Sequence, residues 1–107
     1  MKRVSTLIYI CFTVVPMAAW SSNDLAKAKN CMACHSIDKE ILGPSFKDIS
    51  KKYTGQKDAE AQIASSITQG SKGRWGRIPM LPDSRVTEDD AASLAKWIMA
   101  IDSYTAR

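Results

Sequence analysis

Cys31-Met32-Ala33-Cys34-His35 is the stretch on which the reading of this chain turns. Its spacing is C-x-x-C-H, the attachment pattern of a c-type haem. In helical backbone, residues i, i+3 and i+4 share one face. Two thiols so placed can each add to one vinyl group of the porphyrin, and the imidazole that follows reaches the iron from the same side. His35 is the single histidine among 107 residues, so no other imidazole can take that role.

Other chemistries use similar residues. A Cys₂His₂ or Cys₃His zinc site needs four ligands; with Cys11 set aside as part of an export segment, the chain is one short. A thioredoxin-like C-x-x-C sits after a strand in a βαβ pattern, and no strand pattern precedes Cys31. A structural disulfide between Cys31 and Cys34 is the plainest alternative.

Upstream of the motif, Met1-Lys2-Arg3 is a short basic start and Val4 to Ala19 is mainly apolar. Ala19-Trp20-Ser21 then fits a small-x-small cleavage pattern, which puts a signal-peptide cut between Ser21 and Ser22. An uncleaved anchor is disfavoured because the apolar run falls short of the ~20 residues that span a bilayer. Ser5, Thr6, Thr13 and Pro16 also interrupt it. Residues 1–21 are therefore expected to be removed, leaving a single domain over 22–107, exported to the periplasm and without stable membrane insertion. Loss of Lys2 and Arg3 lowers the net charge from +4 to +2, too weak for nucleic acid binding, and no basic run supports it. So small a domain commonly needs a staple, which a covalently held porphyrin supplies.

The rest of the chain reads as all-α, about four helices wrapped around one haem. The first is expected from Asp24 to Ala33, with Leu25, Ala28 and Met32 on one stripe. The second follows Gly43-Pro44, carries Phe46, Ile49 and Tyr53 at helical spacing, and ends near Thr54-Gly55. The third can be capped by Asp58, carries Ile63 and Ile67 on one face, and has Gly70 well placed to terminate it. The last opens at Thr87-Glu88-Asp89-Asp90, an acidic first turn that suits the helix dipole, and carries Leu94, Trp97, Ile98 and Ile101.

Between Gly70 and Val86 lies a loop too long to be a simple connection. Trp75 and Met80 are large apolar groups in this otherwise polar stretch, as in a loop wrapped on a cofactor. Low-spin electron-carrying haems commonly take histidine and methionine as axial ligands. With histidine exhausted, methionine is the second candidate. Met1 and Met17 leave with the signal, Met32 lies on the same side as His35, and Met99 falls mid-helix. Met80, between Pro79 and Pro82, is the ligand that elimination leaves. A soft thioether favours Fe(II) and raises the potential.

Together with Cys31-Met32-Ala33-Cys34-His35, the segments Gly43-Pro44, Trp75-Gly76 and Ile78-Pro79-Met80 stand in an order that resembles small bacterial class I cytochromes c of the c-551 type. The resemblance runs from Asn23 to Ile101. It implies one haem c held through thioethers to Cys31 and Cys34, with His35 and Met80 as axial ligands. It also implies that the Pro44 carbonyl takes a hydrogen bond from the His35 ring and that the Trp75 indole meets a haem propionate. The implied role is that of a non-enzymatic, monomeric shuttle in the periplasm. Its partners would be redox proteins such as a reductase, a peroxidase or a terminal oxidase. Two positions depart from the pattern: Asp83 stands where an asparagine can follow the methionine, and Ser66 where some relatives place an arginine near a propionate.

Lys72, Arg74 and Arg77 form a basic stretch beside the expected haem edge, either an ordinary solvated loop or a steering patch for acidic redox partners. The rival functions are a haem catalyst or gas sensor with an open iron position, and a thiol oxidoreductase using Cys31 and Cys34. Met80 and the lack of a distal histidine speak against the first of these.

Overall fold

The computed structural model describes residues 8–14 and 21–105, with side chains described up to residue 102. The basic start, the expected cleavage pattern at Ala19-Trp20, Met1 and Met17 lie outside the described residues. Residues 8–14 form neither helix nor strand and are exposed. Among the described residues no helix is long and apolar enough to cross a membrane.

The described residues form four α-helices: α1 (Ser22–Ala28), α2 (Phe46–Tyr53), α3 (Ala59–Gln69) and α4 (Glu88–Thr105). The described residues contain no strand, only isolated bridges pairing His35 with Glu40 and Ser71 with Met80. The fold is all-α.

The first helix is shorter than its sequence suggested. It ends at Ala28 because Asn30 takes a left-handed conformation (φ 62), which breaks the helical path. A short 3₁₀ turn, Cys31–Ala33, then restarts it. Ala26 is the residue of α1 that is buried, whereas Ala28 is exposed and Leu25 half-buried. Ser21 caps α1, its hydroxyl accepting from the Asp24 amide.

The other helices begin and end where their caps dictate. Ser45, itself buried, caps α2 by accepting from the Asp48 amide at 3.0 Å. Asp58 precedes α3 without a side-chain cap; its carboxylate accepts instead from Gln62 Nε2 at 2.7 Å. Gly70 ends α3 with φ 82, a value that favours glycine. Ahead of α4, Thr87 Oγ1 accepts from the Asp90 amide and Asp90 accepts from the Thr87 amide. This reciprocal pair is a capping box with aspartate in place of glutamate.

Helix α4 is the spine. Ala91, Leu94, Ala95, Ile98 and Ile101 are buried along it, and α1, α2 and α3 all pack against it. Ala26 of α1 and Ala91 and Ala95 of α4 are nearly inaccessible, as small side chains that let backbones approach closely should be. Ser50 of α2 is fully buried and donates to the Met99 carbonyl at 3.2 Å, the hydrogen bond that a hydroxyl inside a core requires.

Candidate haem site

A mostly apolar cavity of about 370 Å³ opens between the helices, the 3₁₀ turn and the long loop. Its wall includes Cys31, Cys34, His35, Pro44, Trp75 and Met80, so all six residues singled out in the sequence come together there. Phe46, Ile49, Ile63, Ile67, Leu94 and Ile98 supply the apolar floor.

The turn after Asn30 presents the motif. The amides of Cys34 and His35 both donate to the Cys31 carbonyl, at 3.2 and 3.0 Å. The five residues thus keep a local helical turn although α1 has ended. Both thiols are free, with Cys34 exposed and Cys31 half-buried. Burial pushes the Cys31 thiol above its ordinary value of 9.0, with the Asp83 carboxylate adding to the rise and Arg85 opposing it.

His35 is 9% exposed and tightly held. Its Nδ1 lies 2.7 Å from the Pro44 carbonyl. Because a carbonyl only accepts, Nδ1 carries the proton, and Nε2 remains with a lone pair for a ligand. Phe46 stacks on the ring at 5.1 Å between centroids, and Trp97 meets Phe46 edge-on at 5.2 Å. Gly43 also lies against the ring: a Cβ there would lie 2.7 Å from His35 Cε1. Sequence reading missed both Gly43 and Phe46 as neighbours of the ring, since only the bend between Cys34 and Pro44 brings them there.

Met80 is fixed through its backbone. Its amide donates to the Ser71 carbonyl and its carbonyl accepts from the Ser71 amide, each at 2.9 Å. Gly70 permits this approach, because a Cβ there would stand 2.7 Å from the Met80 carbonyl oxygen. The loop is thus ordered by pairing across its own base.

The two departures from the family pattern resolve differently. Ser66 donates to the Gln62 carbonyl within α3. Asp83 accepts from Arg85 through the backbone amide, Nε and Nη2, each at 3.0 Å. These bonds hold the carboxyl below its ordinary value of 3.8. Asp90 is also lowered, chiefly by the Thr87 amide, with Lys29 assisting. A carboxyl depressed on folding stabilises the folded state above its unfolded value, and that contribution fades as pH falls through the folded one. Stability should therefore drop on acidification below about pH 4, and the drop should be shallower in Lys29→Met, as pH-dependent urea midpoints would record.

Of the basic stretch, Lys72, Arg74 and Arg77 are all exposed, but Arg74 is engaged: its Nη1 donates to the buried Tyr53 hydroxyl at 3.0 Å. Lys52 donates to the Arg74 carbonyl and sits 4.2 Å above the Trp75 ring. Leu42, Ile78 and Leu81 line the cavity yet remain 56%, 61% and 74% exposed, an apolar lip not anticipated from sequence. Among the described residues no three His, Cys, Asp or Glu side chains cluster so as to hold a metal ion.

A family model described as cytochrome c matches residues 22–102. The chain belongs to the cytochrome c family. Among its relatives is cytochrome c-551 of Pseudomonas aeruginosa, 44% identical over 90 residues, covering 82% of this chain and 86% of the relative. Cytochrome c-552 of Nitrosomonas europaea is 45% identical over 83 residues, 78% and 81% of the respective chains. The crystal structure of the wild-type Nitrosomonas europaea cytochrome c552 matches with a TM-score of 0.72 at 46% identity, over 74% of this chain and 98% of that one. Membership in the cytochrome c family carries haem and electron transport with it. The cavity fits that cofactor: two thiols, an imidazole with one free nitrogen and a thioether stand around an apolar space of a size ordinary for ligand sites.

Proposed function

We propose that this cytochrome c is a mono-haem carrier of single electrons, with His35 and Met80 as the axial iron ligands and Cys31 and Cys34 as the thioether anchors. Bound there, haem supplies a one-electron Fe(III)/Fe(II) couple. The supporting observation is the convergence of Cys31, Cys34, His35 and Met80 on one apolar cavity, with His35 Nδ1 committed to Pro44.

Each residue has a defined task. Pro44 fixes the tautomer and direction of His35, and Phe46 and Gly43 hold the ring against rotation. Ser71 holds Met80 through two backbone bonds, so ligand geometry changes little with oxidation state and reorganisation stays small. The apolar floor excludes water, and Trp75 offers an indole N–H to a propionate.

Residues 1–21 serve as an export signal in this reading, and 22–107 act as a monomer in the periplasm. Leu42, Ile78 and Leu81, with Lys72 and Arg77 nearby in sequence, form the docking face. An apolar lip beside cations suits brief contacts with acidic redox proteins, whose interfaces stay below about 1,200 Å². A reductase, a peroxidase or a terminal oxidase fits that description.

The visible spectrum of the purified holoprotein tests the reading. Colour that survives acidified acetone, a reduced band near ~550 nm and an oxidised band near ~695 nm are expected for thioether attachment and Fe(III)–sulfur ligation. Extractable pigment would refute the anchors. A missing long-wavelength band would refute Met80 and favour an open iron position.

A further inference from the structure

We propose that Asp83 and Arg85 form a positioning pair that fastens the segment carrying Met80 and whose opposite charges offset each other at the rim of the cavity. The proposal rests on Met80 as the iron ligand.

Both residues line the cavity. Asp83 is fully engaged with Arg85 through two contacts on Oδ1 and one on Oδ2, the forked geometry that only arginine offers. The backbone on either side is tied as well. The Asp83 amide donates to the Ile67 carbonyl on α3 at 3.3 Å, and the Val86 amide donates to the Asp83 carbonyl at 3.2 Å. Lys29, just past α1, donates to the Arg85 carbonyl at 2.8 Å and pairs with Asp90 on α4 at 3.3 Å. Residues 83–85 are therefore tied to α3 directly and, through Lys29, to the end of α1 and to Asp90 on α4. Ser71 holds Met80 from the other side, and only Leu81 and Pro82 separate Met80 from Asp83.

An exposed ion pair alone contributes little, and Arg85 is 65% exposed. This pair differs in being bidentate and part of a network. Its charges also matter individually. Fe(III) carries one more positive charge than Fe(II), so an unpaired carboxylate nearby lowers the potential and an unpaired guanidinium raises it. Paired, Asp83 and Arg85 largely cancel.

The test uses the holoprotein and its Arg85→Gln, Asp83→Asn, double and Arg85→Lys variants. It reads two quantities: midpoint potential, and the rate at which imidazole displaces the sixth ligand in the oxidised form. Arg85→Gln should lower the potential and Asp83→Asn should raise it, and the double variant should return near the wild-type value. Imidazole should enter about two- to tenfold faster in each single variant and no faster again in the double. Arg85→Lys keeps the charge and loses the fork, so its potential should hold while imidazole entry quickens. A purely structural role would not give opposite shifts that cancel. Potentials moving in the same direction, or imidazole rates equal to wild type in every variant, would overturn the proposal. A wild type lacking the Fe(III)–sulfur band would instead overturn the assignment of Met80, and the pair with it.

Discussion

Met80→Ala should leave a coloured, covalently attached haem protein whose oxidised form has lost its long-wavelength sulfur band and binds added imidazole or cyanide readily. Its potential should fall by on the order of a few tenths of a volt, within the ~0.8 V over which axial ligands move haem iron. The reason is chemical rather than structural. The two bonds that tie residue 80 to Ser71 use only the backbone, so alanine keeps them while removing the soft donor that favours Fe(II). Titration of the variant against redox mediators gives the shift, and an unchanged potential would mean that sulfur was never bound to iron. Spectral loss together with a large fall in thermal midpoint would point to a collapsed loop rather than a missing ligand.

The second large effect is expected at Gly43. Any side chain there meets His35 at 2.7 Å from Cε1 and 3.0 Å from Nδ1, and the ring has nowhere to go. Pro44 holds Nδ1 and Phe46 stacks on the ring. Gly43→Ala should cost about 1–3 kcal/mol of stability through overpacking and shift the spectrum as the imidazole tilts. Gly43→Val should yield little attached haem. Gly55→Ala is the control. Gly55 has φ 81 with no atom within 4 Å of the added carbon, so it should lose about 1–2 kcal/mol through backbone strain and keep a wild-type spectrum. Equal pigment yields from Gly43→Val and Gly55→Ala would show that contact with His35 is not the cause.

These two positions mark what sequence reading can and cannot reach. That Cys31, Cys34, His35 and Met80 would meet at one cavity was legible because few donor side chains are available, and counting donors narrows the field before any folding is considered. Helices α2, α3 and α4 were legible from apolar spacing and end residues, since Phe46, Ile49 and Tyr53 or Leu94, Ile98 and Ile101 repeat at helical intervals. The end of α1 was not, because Asn30 is an ordinary polar residue until its backbone turns left-handed. Gly43 looked like half of a turn, and its clearance against an imidazole exists only once the bend has formed. Asp83 stood out only as a departure from asparagine, because nothing in a linear pattern says that Arg85 folds back onto it. Contacts made by loops depend on geometry that periodicity does not encode.

Ser21 has one more consequence. Its hydroxyl caps α1, and under the proposed export route it is also the residue beside which the leader is cut. The proposed cut, between Ser21 and Ser22, would carry that cap away and put a new ammonium group at the positive end of the helix, where cations are disfavoured. Processing would then loosen the first turn of α1 and leave its seat on α4 to Ala26.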